Sequence, residues 1–148
     1  MENNNVLMAD GRMVSISSIR PGDRVMSGNR SYSTVMDILR AREDAHFEVK
    51  VFNCEPIKVT ADDVFMTNHG FKSAKELSFD DEILMDGFCL GKENDYAKIE
   101  SISHINKEIM AYDLAMGEPQ IFSVNGYMIG CCENMMKHKR ETTLRSRS

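Results

Sequence analysis

A chain of 148 residues, 42% hydrophobic and 28% charged, suits one globular domain that buries its core without disulfide or metal staples. Its net charge of −5 hides an asymmetry. Residues 1–136 hold 13 basic and 22 acidic groups, a balance of −9, whereas Lys137 onward carries five basic residues against Glu141 alone. The acidic body argues against nucleic acid as a ligand, and no apolar run approaches the roughly 18 residues that a membrane span needs.

Residues 1–5 (MENNN) are polar and read as a loose start. Val6–Met8 and Met13–Ile16 form a predicted hairpin around Asp10-Gly11, a dipeptide that hairpin turns favour. Arg20-Pro21-Gly22-Asp23 follows as a tight turn, with Pro at the second position and Gly at the third, as in type II. Tyr32–Arg40 reads as a long strand, residues 41–45 as a charged turn, and the alternation of Phe47, Val49 and Val51 as an edge or hairpin strand.

The stretch from Pro56 to Met85 then repeats the plan of residues 6–26. Val64-Phe65-Met66 answers Val6-Leu7-Met8, His69-Gly70 answers Asp10-Gly11, and Ala74 and Leu77 answer Ile16 and Ile19. Asp80-Asp81 answers Gly22-Asp23, and Ile83-Leu84 answers Val25-Met26. Two copies of one supersecondary unit in so short a chain predict two pseudo-symmetric halves around one core.

Beyond the second copy, Gly87–Asp95 reads as a loop and Tyr96–Ile105 as a strand. Met110–Met116 and Gln120–Ile129 complete the sheet, with turns at Gly117-Glu118-Pro119 and Asn125-Gly126. The sum is about ten short strands with turn punctuation, an all-β fold of one domain over residues 1–136. The basic tail, residues 137–148, is expected to be disordered.

Four cysteines (Cys54, Cys89, Cys131 and Cys132) do not form a disulfide framework, because two are adjacent and no signal peptide opens the chain. Reduced thiols in a cytoplasmic protein are the expectation. Cys54 and Cys89 read as core residues. His69 reads as a turn residue, and His46 and His104 as exposed strand or loop residues. Zinc is not expected, since the chain has no Cys-x-x-Cys pair. No other cofactor is implied.

Four stretches carry a resemblance: VLMADGRMVSISSIRPGDRVM, IKVTADDVFMTNHGFKSAKELSFDDEIL, AYDLAM and IFSVNGYMIGCC. In this order they resemble the Hint domain, the self-processing module shared by inteins, hedgehog C-terminal domains and bacterial intein-like proteins. The resemblance spans about residues 6–132 and implies a compact Hint fold. It also implies autoprocessing: a first-residue Cys or Ser attacks the preceding carbonyl in an N-to-S/O acyl shift, a Thr-x-x-His motif assists, and a His-Asn end cyclises.

Carried over by position, that pattern holds as fold and fails as chemistry. The nucleophile would stand just before Met1, and residues 1–5 contain no Cys, Ser or Thr. Thr60 matches the motif Thr, but the His position is Asp63; a later His is Gln120, and the His-Asn pair falls on Gly130-Cys131. Cys132 stands where a downstream nucleophile often stands. Candidate site residues are therefore Thr60, Asp63, Cys131 and Cys132. Thr60 would be an oxyanion-side donor and Asp63 a hydrogen-bonded or surface carboxylate, able to donate a proton only if burial raised its pKa strongly.

The expectation is a degenerate, splicing-inactive Hint domain, at most a single-turnover self-cleaving one. Its partners would be its own flanking polypeptide segments. The alternative is a non-catalytic binding or scaffold module that holds a peptide or protein partner. A monomer is expected in either case.

Overall fold

The computed structural model describes residues 4–27, 31–86, 95–117 and 121–130. The described chain forms thirteen strands and two 3-10 turns. The first copy of the repeated unit contains β1 (Asn5–Leu7), β2 (Met13–Ser15), a 3-10 turn at Ile16–Ser18 and β3 (Arg24–Met26). Then come β4 (Tyr32–Glu43), β5 (His46–Val51) and β6 (Ile57–Val59). The second copy contains β7 (Val64–Thr67), β8 (Gly70–Ser73), a 3-10 turn at Ala74–Glu76 and β9 (Glu82–Met85). The chain closes with β10 (Asp95–Ile105), β11 (Ile109–Met116), β12 (Ile121–Val124) and β13 (Tyr127–Gly130).

The repeat is physical as well as textual. Gly11 and Gly70 both take positive φ, 91° and 94°, in the turns that join the first two strands of each copy. At these angles a Cβ would be strained. Each 3-10 turn closes with the same backbone bond, from Ile19 N–H to the Ile16 carbonyl and from Leu77 N–H to the Ala74 carbonyl, both 3.3 Å. The acidic turns match too: the Asp23 carboxylate accepts from Arg20 N–H and the Asp81 carboxylate from Ser78 N–H, each at 2.9 Å. Gly22, with φ of 95°, supplies the left-handed third position expected of the Pro21-Gly22 turn.

Ten strands form one antiparallel sheet in the order β2-β1-β12-β13-β7-β9-β10-β5-β6, with β8 on the side of β7. β11, β4 and β3 form a second sheet. Tyr127, Phe65, Ile16, Ile19, Ile57, Ile83, Met85, Val6 and Val25 are fully buried between them, and Phe65 meets Tyr127 edge-on with ring centroids 6.3 Å apart. Tyr127 is wholly buried, and its hydroxyl accepts from Val51 N–H at 3.0 Å and donates to the Glu55 carbonyl at 2.8 Å.

Several sequence expectations need correction. Among the described residues there are thirteen strands rather than about ten, because pieces of three or four residues, such as β8, are too short to show a period. The strand from Tyr32 continues to Glu43, since Ala41, Arg42 and Glu43 pair with Ala111, Met110 and Ile109 of β11. Of the edge and hairpin alternatives for β5, the hairpin is the one observed: β5 pairs antiparallel with the next strand, β6, and on its other side with β10. His46 is buried, with Nδ1 3.0 Å from the Lys107 carbonyl. His104 is exposed as expected and packs on Phe47. The Gly87–Asp95 loop (apart from Asp95), Pro119, Gln120, Cys89 and the 137–148 tail lie outside the described residues. Cys54 is buried and unbridged. Among the described residues no helix is long and apolar enough to cross a membrane.

Candidate functional site

The first and last described residues, Asn4 and Gly130, line one cavity. Val6 of β1 pairs with Val124 of β12, and β12 turns through Asn125-Gly126 into β13, whose Gly130 pairs with Val64 of β7. Asn125 takes φ of 52° and Gly126 of 89°, the left-handed pair that a two-residue hairpin turn requires. Asn4 is not loose, as its polar neighbours suggested. It is 1% exposed, donates through Nδ2 to the Lys58 carbonyl at 2.8 Å, and accepts from Asn125 Nδ2 at 3.2 Å. These bonds tie the start of the chain to the turn before its last described strand.

Between the two ends lies a cavity of about 20 Å3, large enough for an ordered water. Asn4 and Gly130 line it, together with apolar side chains from β6, β11, β12 and β13. So do two carboxyl groups, Asp63 and Asp113. Tyr112 is the other titratable side chain on its wall.

Asp63 stands in the turn between β6 and β7. Its carboxylate accepts from Thr60 N–H at 2.9 Å, and its own N–H donates to the Thr60 carbonyl at 3.2 Å. This is the closed i, i+3 loop already seen at Asp23 and Asp81, placed here at the mouth of β7. The side chain is buried and shares a hydrogen bond with Asp113 from β11. Burial, and then the Asp113 charge, push the Asp63 carboxyl far up, to about 8, against the smaller downward pull of the Thr60 hydrogen bonds. The Asp113 charge and its hydrogen bond to Asp63 both favour the protonated form of Asp63. Of the two placements expected for Asp63, the hydrogen-bonded one is observed: the side chain is buried and not at the surface.

Thr60 is half-buried and does not line the cavity; its N–H is committed to Asp63. It orients the acid. Cys131 and Cys132 lie outside the described residues. In the sequence Asp113 stood out only as part of the AYDLAM stretch. A stronger signal was available: a lone acid between Tyr112 and Leu114 in an otherwise apolar strand is costly to bury unless paired.

At Gly130 the fold has no room for a side chain as things stand. A Cβ there would lie 2.7 Å from Cε1 of Phe71, whose ring covers the position. Elsewhere, the His69 turn is held by Asp81, which is 1% exposed and accepts from His69 Nδ1 at 2.8 Å and Lys72 Nζ at 2.9 Å. Burial would raise the Asp81 carboxyl, but the hydrogen bonds from His69, Ser78 and Lys72 overcome it and hold it at about 2. No group of His, Cys, Asp and Glu among the described residues could hold a metal ion.

No family model and no curated protein match this chain. Solved structures do. A DnaB intein from Synechocystis sp. PCC 6803 superposes with a TM-score of 0.78 at 20% identity, covering 88% of this chain and 96% of that one. The gp41-1 intein gives 0.74 at 21% identity, over 87% and 94%. A bacterial intein-like domain from Clostridium thermocellum gives 0.72 at 22% identity, over 86% and 94%. At such identities the likeness speaks for architecture alone: the chain has the all-β Hint fold found in inteins and intein-like domains.

Proposed function

We propose that this chain is a Hint-fold autoprocessing domain of intein-like type whose two-junction splicing has been lost, its substrate being polypeptide continuous with its own ends. The observation that carries this reading is the convergence of Asn4 and Gly130 on one cavity that is also lined by the carboxyl groups of buried Asp63 and half-buried Asp113. A self-processing domain needs both junctions within reach of one set of proton-transfer groups. The loss of splicing follows from the replacements: Asp63 for the motif His and Gly130-Cys131 for the His-Asn end. Cys131 has no side-chain amide to form a succinimide, and Gly130 supplies no proton.

A second reading, a non-catalytic module that holds a peptide between the two ends, draws support from Phe71. Its ring occupies the space that a side chain at 130 would fill.

The test is a fusion with one small protein before Met1, joined through a Cys, and another after Cys132. Intact mass is followed with and without dithiothreitol, beside Thr60→Ala and Cys132→Ala variants. Thiol-dependent release that the variants abolish supports autoprocessing. An unchanged full-length mass over days supports the holding module.

A further inference from the structure

Asn4 and Asn125 join strands that no ladder joins. β6 ends the ten-stranded sheet, β1 and β12 stand near its other end, and among the described residues neither of them pairs with β6. Asparagine side chains span this seam. Asn4, which is 1% exposed, donates through Nδ2 to the Lys58 carbonyl at 2.8 Å and accepts from Lys58 N–H at 3.4 Å, as the backbone of a neighbouring strand would. Asn125, in the turn between β12 and β13, donates through Nδ2 to Asn4 Oδ1 at 3.2 Å and to the Pro56 carbonyl at 3.1 Å. Its Oδ1 accepts from Asn5 N–H, and its own N–H donates to the Asn5 carbonyl, both at 2.8 Å.

Position 125 therefore makes three demands on its side chain. It must tolerate φ of 52°, accept from Asn5 N–H, and donate to both Asn4 and Pro56. Gly meets the first demand, Asp the first two, and Asn all three. A turn alone asks only for the first; the other two act on the start of the chain and on the approach to β6. From this arrangement we infer that Asn125 is a positioning residue for self-processing. Acting through Asn4 and Asn5, it holds the start of β1 against β6 and the last hairpin, and so keeps residue 4 on the wall of the shared cavity. The inference rests on the autoprocessing reading and names the group that fixes one end of the chain relative to the other. Asn125 moves no proton and forms no bond to the processed polypeptide. It removes freedom from a segment that must be in place before a peptide bond is broken.

The test compares the full chain with Asn125→Gly and Asn125→Asp, both of which accept the left-handed turn. Hydrogen exchange is followed residue by residue by NMR. In Asn125→Gly the Asn5 amide should exchange about fivefold faster or more, while the amides of β7 and β9 change far less. In Asn125→Asp the Asn5 amide should stay protected, because its acceptor remains, whereas the Asn4 side-chain amide resonances should move, because a carboxylate now faces its Oδ1. A general loss of stability would raise exchange across the whole sheet and would not separate the two variants in this way.

The same variants are then placed in the fusion described above. Thiol-dependent release of the upstream protein should slow about tenfold or more in Asn125→Gly, at a temperature where thermal melting shows both fusions folded. The positioning role is overturned if Asn5 stays protected in Asn125→Gly, or if release keeps its rate although that protection is lost. If the unaltered fusion releases nothing, the autoprocessing reading fails and takes the positioning role with it. If it releases and Asn125→Gly releases equally fast, autoprocessing stands and only the role of Asn125 falls.

Discussion

Thr60 and Asp63 close on each other twice, N–H to carboxylate at 2.9 Å and N–H to carbonyl at 3.2 Å. A four-residue turn thus holds a buried acid at a fixed place beside the acid on β11. Its folded-state pKa, about 8, lies above its ordinary value of 3.8. The folded state therefore binds a proton that the unfolded chain releases, and this contribution to stability is full below pH 3.8 and is lost as pH rises towards about 8. Asp63→Asn keeps an acceptor for Thr60 N–H and a donor for Asp113. It should remove a slope of up to about 1.4 kcal/mol per pH unit in this window and raise stability at pH 8. Denaturant midpoints between pH 4 and 9 check this.

The opposite limb belongs to Asp81. Its pKa is depressed to about 2, so its contribution is present above pH 3.8 and is lost as pH falls towards about 2. Asp81→Asn should cost about 2 kcal/mol at pH 7 and flatten the loss below pH 4. Urea unfolding at pH 2.5, 4 and 7 separates this from a pH-independent packing loss.

What the sequence showed and what it hid follow from range. The two copies of the repeated unit were legible because their defining bonds are local: Ile16 to Ile19, Ala74 to Leu77, Arg20 to Asp23 and Ser78 to Asp81 are all three residues apart. Thr60 and Asp63 were singled out by the resemblance to the Hint pattern, which places a Thr-x-x-His motif there. Asp113 was hidden because its partner lies fifty residues away, and only the packing of β11 over the mouth of β7 brings them together. Asn4 and His46 failed for the same reason. Each is a polar residue in a polar-looking stretch, buried because a distant carbonyl, of Lys58 or Lys107, satisfies it.

Tyr127→Phe removes the hydroxyl that joins Val51 and Glu55 in the core. Val51 N–H is then buried without that acceptor. The expected loss is about 1–3 kcal/mol, read as a lowered urea midpoint with an unchanged m-value.

Gly130→Ala sets a methyl 2.7 Å from the Phe71 ring. Phe71 is half exposed, so the ring can turn to solvent, and the cost should be only about 1–2 kcal/mol. Phe71→Ala should lessen that cost when combined with it. A double-mutant cycle in thermal unfolding measures the coupling, which should be at least about 0.5 kcal/mol.

The claim on which the site most depends is that Asp63 and Asp113 hold one proton between them at neutral pH. Carboxyl 13C chemical shifts of the two residues, followed from pH 3 to 10 with Asp63→Asn and Asp113→Asn as assignment controls, test it directly. The account predicts that one proton leaves the pair only near pH 8 and that both resonances sense the step. Two independent titrations complete below pH 5 would contradict it and leave the cavity without an acid.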